Sequence, residues 1–122
     1  YLIYNNETWL RRRPAGDIWE GLYEFPLIET DGPMDLAALS QNATYRRWLA
    51  KAGALRFFQP LTDVKHVLSH QVLHASFYGI ELERAPEGLE DYLRIPLAEF
   101  ERYAIPRLIH IYVEKMGGNL SE

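Results

Sequence analysis

Three histidines, His66, His70 and His74, stand four residues apart in a chain of 122 residues. On a helix that spacing would put three imidazoles on one face, where they could hold a transition metal. The surrounding residues, VKHVLSHQVLHASFYGIEL, are instead β-branched, aromatic and alternating. Such a run predicts two strands about a turn at Leu68–His70. In a strand successive imidazoles would lie about 13 Å apart at ~3.3 Å per residue, so no metal is expected there. A second group of interest is acidic: Glu29, Asp31 and Asp35. These carboxylates fall around a predicted turn, Thr30-Asp31-Gly32-Pro33, and not on one face of a helix. No Ser-His-Asp arrangement and no glycine-rich phosphate cradle is present.

The elements that must position these groups follow from pattern. Tyr1–Tyr4 and Thr8–Arg12 read as a hairpin about Asn5-Asn6, because Asn tolerates positive φ. Pro14-Ala15-Gly16-Asp17 breaks the second strand. Ile18–Pro26 packs Trp19, Leu22, Tyr23 and Phe25 around one glycine, and Leu27–Glu29 reads as a short strand or its end. Asp35–Ala52 has helical spacing, with Asp35 as N-cap, Gly53 as stop and a split expected at Ser40-Gln41-Asn42. Strands are expected over Leu55–Leu61, Val64–Leu68, His70–Glu83 and Tyr92–Ile95, with a turn at Ala85–Gly88. A short helix at Leu97–Tyr103 precedes a final helix opened by Pro106, with Leu108, Ile109, Tyr112, Val113 and Met116 as its apolar stripe and Gly117-Gly118 at its end. Several strands with two or three helices predict an α+β domain.

Composition narrows the classes further. The length suits one domain, and 48% hydrophobic with 25% charged residues is ordinary for a globular core. With no cysteine at all, the chain holds no disulfide scaffold, thiolate zinc site, iron–sulfur cluster or cysteine nucleophile, which fits a reducing cytosol. No apolar run approaches the ~20 residues of a membrane span, so no membrane partner is expected. The chain opens on Tyr1 without an initiator Met, as a piece of something longer would. The formal charge of −4 counts against strong nucleic-acid binding, but the charge is unevenly spread. Arg11, Arg12 and Arg13 are consecutive. Leu36–Thr62 contains Arg46, Arg47, Lys51 and Arg56 and no acid, whereas Glu81–Glu101 holds seven acids against Arg84 and Arg94.

The run GLYEFP followed by Glu29 resembles the segment leading into the Nudix box of MutT-like hydrolases. Those enzymes hold divalent metal with carboxylates on the following helix. Here that helix, from Leu36 onward, has no acid. In wider context, RRPAGDIWEGLYEFP, then a helix, then VKHVLSHQVL, then IPRLI, resembles the C-terminal domain of A/G-specific adenine DNA glycosylases of the MutY type. The resemblance runs from Leu2 to about Met116. It implies a Nudix-like α/β/α sandwich, a mixed β-sheet flanked by helices, filling residues 1–122 without hydrolase chemistry. It also implies recognition of 8-oxoguanine opposite adenine in duplex DNA, in the cytoplasm at the nucleoid. The adenine would be excised by an N-terminal catalytic domain outside this chain, and a 4Fe-4S cluster is expected there and no cofactor here. The family's Phe-Ser-His recognition turn maps onto Leu68-Ser69-His70, with Leu68 in place of the aromatic. Lys65 is assigned a phosphate contact and His66 a structural role. Two readings stand beside this one: a non-catalytic Nudix-like protein-interaction domain, and a nucleotide pyrophosphohydrolase.

The turn's chemistry can be argued on its own. Guanine presents only acceptors, N7 and O6, at its major-groove edge. Oxidation at C8 makes N7 a donor and adds an acceptor beside it. A hydroxyl both donates and accepts, so Ser69 with a neighbouring backbone group can match the altered edge.

Overall fold

The computed structural model describes residues 1–116; the helix stop expected at Gly117-Gly118 lies outside the described residues. Among the described residues, eight strands, two short α-helices, a 3-10 helix and a last α-helix follow one another. They are β1 (Leu2–Ile3), β2 (Glu7–Arg12), β3 (Tyr23–Glu24), α1 (Leu36–Leu39), α2 (Ala43–Leu49), β4 (Ala54–Phe57), β5 (Leu61–Val67), β6 (Val72–Phe77), β7 (Ile80–Leu82), β8 (Leu93–Pro96), the 3-10 helix Leu97–Arg102 and α3 (Arg107–Met116). The mixed strands and few helices make an α+β fold, as composition and pattern predicted.

The opening hairpin exists only at its tip. Asn5 and Asn6 take φ of 52° and 60°, and Tyr4 and Glu7 exchange backbone hydrogen bonds of 2.9 and 3.0 Å. Beyond that bridge the two strands part. β1 pairs in parallel with β7, while β2 pairs antiparallel with β3 and with β8. The fully buried Thr8 occupies the fork, where its hydroxyl donates to the Leu2 carbonyl at 2.6 Å. A side chain thus satisfies a buried carbonyl that strand pairing would otherwise serve.

Alternation along these strands builds two cores. Ile3, Leu10 and Ile95 face Phe25, Phe100 and the Ile109, Tyr112 and Met116 stripe of α3. Leu2, Trp9, Ile80 and Leu82 point the other way, against Trp48 of α2, Ala52 and Leu89. Because successive strand residues face opposite sides, β1 and β2 serve both cores, and helices flank the sheet layer on each side.

One expected feature and several departures from the sequence reading bear on function. The single helix over Asp35–Ala52 is split at the expected place: Asp35 accepts from the Ala38 amide, and Asn42 caps the second piece by accepting from Thr44 and Tyr45. The single strand over His70–Glu83 is not continuous. It breaks at Tyr78-Gly79, so that β6 pairs with β5 and β7 joins β1 and β4. Gly79 is packed so closely that a Cβ there would lie 2.5 Å from the Tyr112 hydroxyl and 2.9 Å from Phe58 Cδ2. The strand expected over Leu55–Leu61 likewise ends at Phe57, and Leu61 starts β5 beyond Pro60, which has no amide to pair. No strand forms over Leu27–Glu29.

Candidate functional site

The β5–β6 hairpin forms a sheet of its own. Lys65 pairs with His74, His66 with Leu73 and Val67 with Val72. The Leu68 amide donates to the Gln71 carbonyl at 2.8 Å and closes the turn. At the root, Asp63 has φ of 53° and interrupts the register. Its amide donates to Ser76 Oγ (3.0 Å), and its Oδ1 lies 2.9 Å from His74 Nδ1. The strand period sorts the side chains: Asp63, Lys65 and Val67 are exposed, whereas Val64, His66 and Leu68 are half-buried. At the tip, Ser69 and His70 are exposed. The turn therefore offers Ser69 and His70 to solvent, with Lys65 on the exposed face behind them and Leu68 tucked toward the inner face.

The three histidines meet different partners. His74 lies beside Asp63 and His70 stands at the tip. The His66 ring lies edge-on to Trp19, with centroids 6.1 Å apart and planes at 61°.

Trp19 belongs to the second block, Arg12–Pro26, which is folded by a network the sequence reading did not anticipate. Glu24 on β3 is buried, with 7% of its side chain exposed, and it accepts from Arg11 and Arg13, both at 2.9 Å. Arg13 also pairs with Asp17, whose Oδ1 accepts from the Trp19 amide at 2.8 Å. Backbone bonds from Gly21 to Arg13 (3.1 Å) and from Arg13 to Leu22 (2.8 Å) close the turn. Gly21 supplies the positive φ of 80° that this closure needs. Arg11 also lies over the Tyr92 ring at 4.8 Å.

This network corrects the reading of Arg11–Arg13 as one basic patch. Arg11 on β2 and Arg13 just past its end both turn to Glu24, while Arg12 points away to solvent. Arg12 and Lys65 take part in none of the ion pairs among the described residues. The signal available in sequence was the i, i+2 spacing of Arg11 and Arg13, which puts both on one side of an extended segment.

The hydrogen bond from Arg13, then that from the Trp19 amide, holds the Asp17 carboxyl below its usual value of 3.8. A depressed folded-state pKa gives stabilisation that is complete above 3.8 and lost as the pH falls through the lower folded value. The Trp19 amide resonance is therefore expected to titrate with a midpoint below 3.8. A midpoint at or above 3.8 in an NMR pH series would contradict the Arg13–Asp17–Trp19 linkage.

The acidic group lies elsewhere. Asp35 is used as a helix cap. Glu29 and Asp31, with Thr30, Gly32, Pro33, Met34 and Asn42, line an open hollow of about 390 Å³. Neither α1 nor α2 carries an Asp or Glu, so no helical carboxylate faces that hollow.

A family model described as NUDIX domain matches residues 1–115. No curated protein matches the chain.

Proposed function

The chain belongs to the NUDIX domain family, and from that premise we propose that it is the lesion-recognition domain of an adenine DNA glycosylase of the MutY type. In this reading it contacts 8-oxoguanine opposite adenine and leaves base excision to a separate catalytic domain. The observation that carries the reading is the exposed Leu68-Ser69-His70 turn at the tip of a hairpin seated, through His66, on the Arg12–Pro26 block. These are the two segments in which the resemblance to that glycosylase domain is concentrated.

The roles follow from chemistry. The Ser69 hydroxyl donates and accepts, so it can satisfy an edge that presents a donor at N7 beside a new carbonyl. Undamaged guanine would meet the same arrangement with acceptor facing acceptor or with one group unpaired. That penalty is roughly 1–3 kcal/mol, enough for ~10-fold discrimination without tight binding. Lys65 supplies a phosphate contact from the exposed hairpin face, and His70 sits beside Ser69 within the turn. Leu68 fills inner-face space in place of a flat ring. Where the chain is joined to its catalytic domain, Ser69→Ala is expected to reduce the preference for adenine opposite 8-oxoguanine over adenine opposite guanine by about 1–2 kcal/mol. Single-turnover excision on the two duplexes reads this directly. An unchanged preference in a folded variant would leave Ser69 as a turn residue and nothing more.

One observation favours a second reading, the hollow beside Glu29 and Asp31, since hard cations take oxygen ligands and assist phosphate chemistry. With Glu29 and Asp31 as its acids, it supplies too few carboxylates to hold the divalent metal that would neutralise a nucleotide's phosphates. The chain is expected to show no hydrolysis of nucleoside triphosphates, oxidised dGTP included, with Mg²⁺ or Mn²⁺. Turnover that disappears in Glu29→Gln would establish the hydrolase reading instead.

A further inference from the structure

Among the described residues the β5–β6 hairpin pairs with no other strand, and two-stranded ribbons twist and yield more than wider sheets. Its attitude is therefore set by what stands against its inner face. Two contacts do so. At the root, Phe77 stacks on Tyr112 of α3, with centroids 5.0 Å apart and planes at 13°. Midway to the tip, the His66 and Trp19 rings meet at 61° with centroids 6.1 Å apart. His66 is two residues from Leu68, whose amide closes the recognition turn.

Trp19 is itself held. Its amide donates to Asp17, Asp17 is gripped by Arg13, and Arg13 is anchored on the buried Glu24 in β3. A chain of contacts thus runs from the core, through a closed turn, to one aromatic ring, and from that ring to the hairpin.

We infer that Trp19 is a positioning residue, which through His66 fixes the attitude of the β5–β6 hairpin and so the placement of the Leu68–Gln71 turn. Its consequence for lesion preference rests on the recognition reading above; the mechanical coupling does not. Trp19 touches no ligand in this account and acts only through His66.

The test is amide hydrogen exchange of the chain without DNA, followed by duplex binding with the same variants. Trp19→Ala and His66→Ala are each expected to raise exchange at the Leu68 amide by roughly 2- to 10-fold, the range an edge-to-face aromatic contact supplies. Exchange in α3 should stay unchanged. The double variant should be no worse than either single one, the signature of a shared contact. Trp19→Phe should restore most of the protection, because an aromatic ring is kept against His66. An unaltered Leu68 amide in Trp19→Ala, or single effects that multiply in the double variant, would overturn the inference. Binding separates this from the recognition reading. If Trp19→Ala loosens the turn and lowers the preference for an 8-oxoguanine duplex, both stand. If the exchange coupling is present but Ser69→Ala leaves that preference intact, the recognition reading fails and the positioning role is retained.

Discussion

Glu24→Ala is expected to lower stability by about 3–5 kcal/mol, the cost of breaking a buried ion pair from one side. The carboxylate is 7% exposed and Arg13 only 15%, so the deletion leaves a cation out of water with Asp17 as its remaining partner. Arg13 Nε is already buried without a hydrogen-bond partner, and that leaves the guanidinium no reserve. Arg11, 42% exposed, can turn to solvent and contributes less to the loss. Glu24→Gln keeps one acceptor and should cost about 1–3 kcal/mol. Urea unfolding measures both. A loss under about 1 kcal/mol for Glu24→Ala would place the pair in the class of solvated surface bridges.

Tyr112 gives the second large effect, and two substitutions there should separate sharply. The residue is 1% exposed and meets Phe77, Phe25 and Tyr1 at centroid distances of 5.0, 6.3 and 6.4 Å. Tyr112→Ala empties a site shared by α3 and β6 and should cost about 3–5 kcal/mol. Tyr112→Phe should be neutral or stabilising by up to about 1 kcal/mol, because the hydroxyl is buried without a partner. Burial also pushes the Tyr112 hydroxyl from 10.0 up to about 12. A raised folded-state pKa means the contribution is complete below 10 and is lost as the pH rises toward 12. Tyr112→Phe should therefore show less alkaline loss of stability than the parent chain. Equal destabilisation by Phe and Ala in chemical denaturation would mean that the hydroxyl has a partner after all.

What was legible in the sequence was local. Asn5-Asn6 marked a turn because few other residues accept positive φ, and Ser40-Gln41-Asn42 marked a split in the helix, where the structure has Asn42 capping two amides. The stripe of α3 was legible because a helix repeats its buried face every three to four residues. The break at Tyr78-Gly79 shows in the sequence only as a change of phase: Leu73, Ala75 and Phe77 face inward from odd positions, Ile80 and Leu82 from even ones. A period of two reports which face a residue takes and says nothing of which sheet it joins. The reason for Gly79 lies 33 residues away, in the Tyr112 hydroxyl.

The site divides in the same way. The turn at Leu68–His70 followed from the run of residues around it. The Trp19–His66 contact joins segments almost fifty residues apart, and no pattern within either segment points to the other. Arg11 and Arg13 looked like surface charge because their partner, Glu24, lies on a two-residue strand too short to show a period. Arg12 and Lys65 take part in none of the ion pairs among the described residues. With a net charge of −4, the affinity of the chain for undamaged duplex should be weak at physiological salt, since phosphate contacts supply most non-specific binding.

Weak binding is well suited to chemical-shift titration of the isotopically labelled chain with two short duplexes, one holding 8-oxoguanine opposite adenine and the other guanine opposite adenine. The lesion duplex should move the Lys65 and Leu68–Gln71 amides further than the undamaged one at equal concentration, and Ser69→Ala should remove that difference. If both duplexes move the same amides equally, or if the shifts fall away from the β5–β6 hairpin, this domain does not read the oxidised base through Ser69.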